Sequence, residues 1–178
     1  MLALATLLDP DSDLQTRQLW QLLEEKCNLL GIMAAPYPHF SWAASENIEW
    51  SSARRKLDRI AHKIKPFKVK TAGLGIFNGP DPVLYVAIVK EPHLLATHQD
   101  IWKRLERNLI NPQEYYAPSH WMPHITIAQG DLNPQKLACA VQELAFERMA
   151  FEVNVNNISV IYHSDESVGI KSRFELGK

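Results

Sequence analysis

The sequence has little cysteine and no long apolar run. Its 178 residues include two cysteines, Cys27 and Cys139, and both fall in helix-like stretches. The opening segment MLALATLL is apolar, but it has no basic leader and ends at Asp9-Pro10, which is too short for a signal peptide or a membrane span. Without a secretion signal we expect both thiols to be buried and reduced rather than bridged. A cytoplasmic protein without a membrane partner is therefore predicted.

The chain also has no large excess of positive or negative charge. The net charge of −1 gives no global attraction to nucleic acid. Locally, eight basic residues lie between Arg54 and Lys70 against the single acid Asp58, and we interpret this segment as a solvated helix face rather than an RNA track. What the chain has is a hydrophobic content of 46%, sufficient for one core. We expect a single domain and a monomer.

An internal repeat organises the chain. The segment VLYVAIVKEPHLLATHQDIWKRL, from Val83, aligns without a gap beneath MLALATLLDPDSDLQTRQLWQLL, from Met1. In this alignment Trp102 lies 82 positions after Trp20. Self-similarity at a fixed spacing indicates a repeated structural unit.

Two further pairs of segments keep nearly the same spacing. The motif PHFSWA contains His39, and PHITIA contains His124, 85 positions later. Likewise, FKVKTAGLGIF from Phe67 matches FEVNVNNISVI from Phe151, 84 positions later. The chain is therefore interpreted as a duplication.

Each copy has the pattern strand, helix, strand, helix, strand. Asn133 is a plausible N-cap of the last helix, with Pro134 at its first position. A final strand is expected to form a hairpin with the 158–163 stretch across Ser164-Asp165-Glu166. The fold class is α+β, with two pseudo-symmetric lobes, mainly antiparallel sheets flanked by helices, and a cleft between the lobes. The predicted units are repeat 1 at about 1–79, repeat 2 at about 83–163 and a C-terminal strand at about 166–176.

The repeated histidine strands carry the candidate site. Alternation places His39 and Ser41 on one face of the first strand, and His124 and Thr126 on one face of the second. One such pair is typical of any half-buried strand, but a pseudo-twofold axis can bring both pairs to one cleft. Two imidazoles and two hydroxyls suit phosphodiester cleavage, since a neutral histidine accepts a proton from the nucleophile and a protonated one donates to the leaving oxygen. The hydroxyls would hydrogen-bond the non-bridging phosphoryl oxygens. No metal or other cofactor is required.

At these residues the sequence resembles the two-histidine (2H) phosphoesterase superfamily, which includes the 2′-5′ RNA ligase-like proteins and the cyclic nucleotide phosphodiesterases. The resemblance implies that His39 and His124 are the catalytic pair and that Ser41 and Thr126 bind phosphate. It also implies an RNA or nucleotide substrate with a 2′,3′-cyclic phosphate or a 2′-5′ linkage. Ser41 departs from the commoner threonine, and it lacks the methyl group that helps to fix the hydroxyl rotamer.

The approach to the second motif resembles the RNA ligase-like branch. It runs from Tyr115-Tyr116 to Trp121-Met122-Pro123-His124. The aromatic residues Tyr115, Tyr116 and Trp121 could stack on a nucleobase or could cover the interface between the lobes.

Other interpretations stay open. The pairs His120/His124 and His93/His98 could suggest metal ligands, but neither comes with carboxylates or cysteines at ligand spacing, so we predict no metal. A non-catalytic or weakly catalytic module for RNA binding or ligation is the alternative to an enzyme. The substrate could be a cyclic phosphate on RNA, a 2′-5′ oligonucleotide or a small cyclic ADP-ribose phosphate.

Overall fold

The computed structural model describes residues 1–164 and 166–178. Within these residues the chain forms four α-helices and nine β-strands. The helices are α1 (Pro10–Cys27), α2 (Trp50–Lys63), α3 (Pro92–Leu105) and α4 (Pro134–Leu144). The strands are β1 (Leu2–Leu7), β2 (His39–Ile48), β3 (Phe67–Phe77), β4 (Val83–Ile88), β5 (Leu109–Pro112), β6 (His124–Ala128), β7 (Glu152–Val155), β8 (Asn157–His163) and β9 (Val168–Glu175). In this part of the chain no helix is both long and apolar enough to span a bilayer.

The element order follows the predicted pattern. The first copy gives β1-α1-β2-α2-β3, and the second gives β4-α3-β6-α4 followed by β7 and β8, with β5 inserted before β6. The Asn133 side chain caps α4 by accepting a hydrogen bond from the Lys136 amide at 2.9 Å, and Pro134 is the first helical residue. The predicted C-terminal hairpin is confirmed by the antiparallel pairing of β8 with β9. Asp165, in the predicted turn, lies outside the described residues.

The strands form one curled sheet whose pairings are antiparallel, which confirms the predicted fold class. The sheet order is β7-β3-β4-β6-β2-β1-β8-β9, with β5 paired to β2 beside this path. Its centre is the contact of β2 with β6, the equivalent strands of the two copies. On either side the copies exchange strands, because β3 pairs with β4 and β8 pairs with β1. Each half of the sheet is therefore built from both copies.

The helices also pack across the copies. Helix α1 contacts α4 and β6, whereas α3 contacts α2 and β2. One apolar core joins these helices to the sheet across both halves. Phe40, Trp42 and Ile127 are almost completely buried in it, on the side of their strands opposite to the histidines. The core therefore supports β2 and β6 on the face of the sheet opposite to His39 and His124.

The prediction of two reduced thiols is wrong. Cys27, at the end of α1, and Cys139, in α4, form a disulfide with Cα atoms 5.8 Å apart. The two cysteines are 112 positions apart, and they meet because α1 packs against α4. Helical periodicity shows which face of a helix is apolar, but not which second helix covers that face.

Removal of this disulfide should lower stability substantially. The double variant Cys27→Ser/Cys139→Ser is expected to lose about 3 kcal/mol in the free energy of unfolding, because the bridge closes a very long loop in the unfolded chain. Urea denaturation of the oxidised protein and of the variant measures the difference. A reductant should destabilise the native protein and leave the variant unchanged. Equal denaturation midpoints for the oxidised protein and the variant would contradict the prediction.

Candidate active site

The site forms where β2 crosses β6. The two strands meet at a single antiparallel pair, Phe40 with Ile125, and both of these side chains are completely buried. Because side chains alternate along a strand, the residues next to this pair point to the other face of the sheet. The crossing therefore turns both repeated motifs toward the same side.

The predicted site residues surround this crossing. His39 and Ser41 flank Phe40 on β2, and His124 and Thr126 flank Ile125 on β6. All four residues line one open cavity of about 730 Å³. The structure thus brings both histidines and both hydroxyls together, related by a local twofold arrangement.

Each histidine ring is oriented by a carbonyl two positions earlier. His39 Nδ1 lies 2.6 Å from the Tyr37 carbonyl oxygen, and His124 Nδ1 lies 2.7 Å from that of Met122. A carbonyl only accepts hydrogen bonds, so Nδ1 carries a proton in each ring. In the neutral form Nε2 is then the nitrogen with the free lone pair. Both histidines are prepared in the same way to exchange a proton through Nε2.

The prolines before the histidines fix the entry to each strand. The Pro38 carbonyl accepts a hydrogen bond from the Leu8 amide at 3.0 Å. In the second copy the Pro123 carbonyl accepts one from the Ile88 amide, also at 3.0 Å. In this way each Pro-His element is held to the end of the first strand of its own copy.

The ring of His124 has aromatic neighbours. Its centroid lies 4.8 Å from that of Phe77, edge to face, and 5.2 Å from that of Tyr85. Tyr85 pairs with Gly75 across β4 and β3, and a Cβ atom at position 75 would overlap the Tyr85 ring. The glycine therefore leaves the space that this tyrosine occupies beside the histidine.

A tryptophan anchors each hydroxyl-bearing residue through its backbone. Trp121 Nε1 donates a hydrogen bond to the Ser41 carbonyl at 3.0 Å. Trp20 Nε1 donates one to the Thr126 carbonyl at 3.2 Å. The backbone at both positions is thus held from the interior of the protein, which limits movement of the hydroxyls in the cavity.

The base-stacking prediction is wrong for Trp121. Its side chain is 2% exposed, and its ring stacks on His98 with centroids 3.8 Å apart and on Trp42 with centroids 5.6 Å apart. A ring with almost no accessible surface cannot receive a nucleobase. Trp121 belongs to the packing beneath the site, which corresponds to the alternative interpretation.

The two tyrosines of the same loop do reach the cavity. Both Tyr115 and Tyr116 line it. Tyr115 is 82% exposed, so its ring is accessible to a ligand. Tyr116 is half-buried. The two neighbouring tyrosines therefore differ in how much of the ring is accessible to a ligand.

Burial sets the protonation of the two site histidines. It lowers the pKa of His39, and the hydrogen bond to the Tyr37 carbonyl opposes this effect. Burial also lowers the pKa of His124, with the Met122 carbonyl opposing it and the nearby His39 lowering it further. Two imidazolium ions side by side would repel each other, so the free cavity favours neutral rings. An anion bound between them would reverse this preference.

The other histidine pairs do not converge in the same way. His98 is buried, and its Nε2 lies 3.0 Å from the Trp42 carbonyl, whereas His93 is exposed and packs edge to face on Phe67. His120 lines the cavity and contacts Ser119. Within residues 1–164 and 166–178, no group of three or more histidine, cysteine or acidic residues could hold a metal ion. A site that works without metal stays a prediction.

Sequence reasoning overlooked Trp20 and Tyr85 as residues that support the site. Trp20 served only to align the repeat, and its contact with Thr126 depends on the packing of α1 against β6. For Tyr85 a signal was present, because it is the only residue with a polar side chain in the apolar run VLYVAIV. A polar group in a buried strand requires a partner or a site.

The fold is shared with proteins of known structure. TT0787 of Thermus thermophilus superimposes with a TM-score of 0.66 at 16% identity, over 99% of this chain and 97% of that one. A crystal structure described as a phosphoesterase gives 0.59 at 13% identity, over 99% and 98%. Usb1 of Kluyveromyces marxianus gives 0.53 at 16% identity, over 98% and 96%. The architecture of this chain is thus one that a phosphoesterase also has.

A match to a protein-family model identifies the family of this chain. The model of the 2′-5′ RNA ligase superfamily matches residues 7–166. The chain therefore belongs to the 2′-5′ RNA ligase superfamily, which confirms the resemblance drawn from the two H-x-[ST]-x elements. A search of curated protein sequences gives no significant match.

Proposed function

We propose that this protein is a metal-independent phosphoesterase that acts on RNA or nucleotides with a 2′,3′-cyclic phosphate or a 2′-5′ phosphodiester linkage. The observation that carries the proposal is the symmetric site. It combines His39 and His124, each with Nε2 free for proton exchange, with the hydroxyls of Ser41 and Thr126 on one cavity. Membership of the superfamily supports the same chemistry.

The proton transfers follow from this arrangement. For a cyclic phosphate, one neutral histidine accepts a proton from water at Nε2 as the water oxygen bonds to phosphorus. The bond from phosphorus to the 2′ or 3′ oxygen breaks, and the other histidine, protonated, donates its Nε2 proton to that oxygen. The product is a ring-opened monoester. Both histidines end with exchanged protonation states, so proton exchange with water restores the site.

A 2′-5′ linkage uses the same groups with an internal nucleophile. The neighbouring 3′ hydroxyl loses its proton to one histidine and attacks phosphorus. The 5′ oxygen leaves with a proton from the other histidine, and a 2′,3′-cyclic phosphate is formed. Ligation is the reverse reaction, in which the roles of His39 and His124 exchange.

The cavity also offers contacts for a nucleotide. The exposed ring of Tyr115 provides a surface on which a base could stack, and such stacking contributes about 1–3 kcal/mol per base. A structure of Usb1 of Kluyveromyces marxianus with uridine monophosphate shares the fold. It superimposes on this chain with a TM-score of 0.53 at 12% identity. This supports a nucleotide as the ligand. The monomeric state and the cytoplasmic location stay predictions.

The direct test is a screen of three substrate classes in the presence of a chelator. Purified protein is incubated with an RNA ending in a 2′,3′-cyclic phosphate, a 2′-5′ oligonucleotide and a cyclic ADP-ribose phosphate. Turnover of one of the first two, resistant to chelator and lost in His39→Ala and His124→Ala, is expected. Chelator-sensitive activity that zinc or manganese restores and that survives His39→Ala would reject the proposal. Binding of these ligands without turnover would favour the non-catalytic alternative.

The pH dependence should reflect the lowered pKa of both histidines. In the free protein each imidazolium loses its proton below the ordinary value of about 6.5, so both limbs of the kcat/KM profile should lie on the acid side of that value. In the complex the phosphodiester anion stabilises the imidazolium, so the profile of kcat should be displaced toward higher pH. Rates measured from about pH 4.5 to about 8.5 test both statements. A kcat/KM maximum well above neutral pH would contradict them.

A further inference from the structure

Two prolines flank the residue that orients His39. Tyr37, whose carbonyl accepts the hydrogen bond from His39 Nδ1, lies between Pro36 and Pro38. A proline ring fixes its own φ angle, and Pro38 also restricts the residue before it to extended conformations. Rotation of the peptide unit between Pro36 and Tyr37 is therefore the main conformational freedom left in this segment.

Both sides of this peptide unit are hydrogen-bonded. Its N–H, from Tyr37, donates to the Ala35 carbonyl at 2.8 Å, which is a bond within the segment. Its carbonyl, from Pro36, accepts a hydrogen bond from Arg17 Nη2 at 3.0 Å. Arg17 belongs to α1, which packs on the core. The arginine therefore fixes the rotation of the peptide unit relative to a regular element of the fold.

The guanidinium of Arg17 is itself held by two residues of α1. Arg17 Nε donates to the Asp13 carboxylate, one turn earlier in the helix, at 2.7 Å. On its other side the guanidinium carbon lies 5.6 Å from the centroid of the Trp20 ring, within the range of a cation–π contact. Residues three and four positions apart share one face of a helix. Asp13 and Trp20 therefore direct the remaining donors of Arg17 at the approach to His39.

A different residue holds the equivalent segment of the second copy. At the offset of 85 positions that relates the two histidine motifs, Pro36 corresponds to Trp121. Trp121 is buried, and its indole N–H bonds a carbonyl of β2 at 3.0 Å, so its own side chain anchors the segment. A proline side chain has no hydrogen-bond donor. Arg17 thus supplies from α1 the attachment that Trp121 supplies directly.

We infer that Arg17 is a positioning residue for His39. By holding the Pro36 carbonyl, it keeps the Tyr37 carbonyl directed at Nδ1 of the histidine ring, so that Nε2 is free for proton transfer. The inference rests on the proposed function, in which that nitrogen exchanges a proton with the substrate. Because the bond from Arg17 reaches the approach to His39, the orientation of His124 should not depend on it.

Nitrogen-15 NMR of the histidine rings in Arg17→Met tests this role without a substrate. Methionine keeps an unbranched apolar side chain but has no guanidinium. In the native protein both neutral rings should carry the proton on Nδ1. In the variant His39 should show a mixture of the two tautomers, whereas His124 should be unchanged.

The same variant has an expected kinetic effect. With the substrate identified in the screen, Arg17→Met should lower kcat about tenfold, less than the roughly 10²- to 10⁴-fold that a general acid or base contributes. KM should change much less, because the ring acts in proton transfer. Arg17→Lys should recover part of the lost rate, since an ammonium group can reach one of the two acceptors but lacks the fork that bonds both.

The matched control is Arg104→Met. Arg104 forms the same kind of pair with Asp100, four positions earlier in α3, at 2.8 Å and with a similarly exposed side chain. In the described part of the chain α3 contributes no residue to the cavity wall. Both methionine variants should lose a similar, small amount of thermal stability, because exposed ion pairs contribute little. Only Arg17→Met should change the His39 tautomer and kcat.

Three results would overturn the inference: an unchanged His39 tautomer in Arg17→Met, an unchanged kcat in this variant, or an equal loss of kcat in Arg104→Met. None of them affects the proposed function as long as His39→Ala is inactive. Full activity of His39→Ala would instead reject the proposed function, and the NMR spectra would still show whether Arg17 orients the ring.

Discussion

Replacement of His39 or His124 by alanine is expected to lower kcat by about 10³-fold, because general acid or general base catalysis by one positioned group contributes between 10² and 10⁴. The double variant should be no more than about tenfold slower than either single variant. The reason is that one proton transfer depends on the other: without a base the nucleophile is not activated, and without an acid the leaving oxygen remains charged. Single-turnover rates of the three variants measure this directly.

The control for these variants is His62→Ala. His62 is an exposed residue of α2 that contacts Asp58 and does not line the cavity, so its loss should leave kcat unchanged. Losses at His39 and His124 that multiply in the double variant would show that the two rings act independently. Nearly complete activity in either single variant would remove that ring from the mechanism.

Loss of either hydroxyl should slow the reaction by about 10²-fold, by analogy with removal of one donor from an oxyanion site. Ser41→Ala and Thr126→Ala remove a hydrogen-bond donor from the place where phosphoryl charge develops. The effect should fall on kcat more than on KM, because the phosphoryl oxygens carry more charge in the transition state than in the ground state. Steady-state kinetics with the substrate identified in the screen measures both constants.

Substitutions that keep a hydroxyl provide the matched controls. Thr126→Ser and Ser41→Thr should both remain within about tenfold of the native rate, because each retains the donor. Thermal unfolding should show little change in any of the four variants, since the side chains face a cavity and not the core. Equal rates for the alanine and hydroxyl variants would show that Ser41 and Thr126 only occupy space.

Much of the fold follows from local patterns in the sequence. The cap at Asn133 and the C-terminal hairpin depend on residues close together in the chain, and the structure confirms both directly. The location of the candidate site was also predictable. Alternation placed each histidine with a hydroxyl residue on one strand face, and the duplication implied that two such faces meet. Their catalytic and phosphate-binding roles stay proposals for the experiments above.

What the sequence by itself determined is the α+β class, the repeated strand and helix pattern and the four residues of the candidate site, because strand and helix periodicities are local properties of the chain. Only the tertiary structure decided that Cys27 bonds to Cys139, that Trp121 is buried and that Trp20 bonds to the Thr126 carbonyl. Each of these depends on which distant elements pack together. Which elements pack together is determined by the packing of the whole core, in which β3 and β8 exchange between the two halves of the sheet. No short segment of the sequence contains this information.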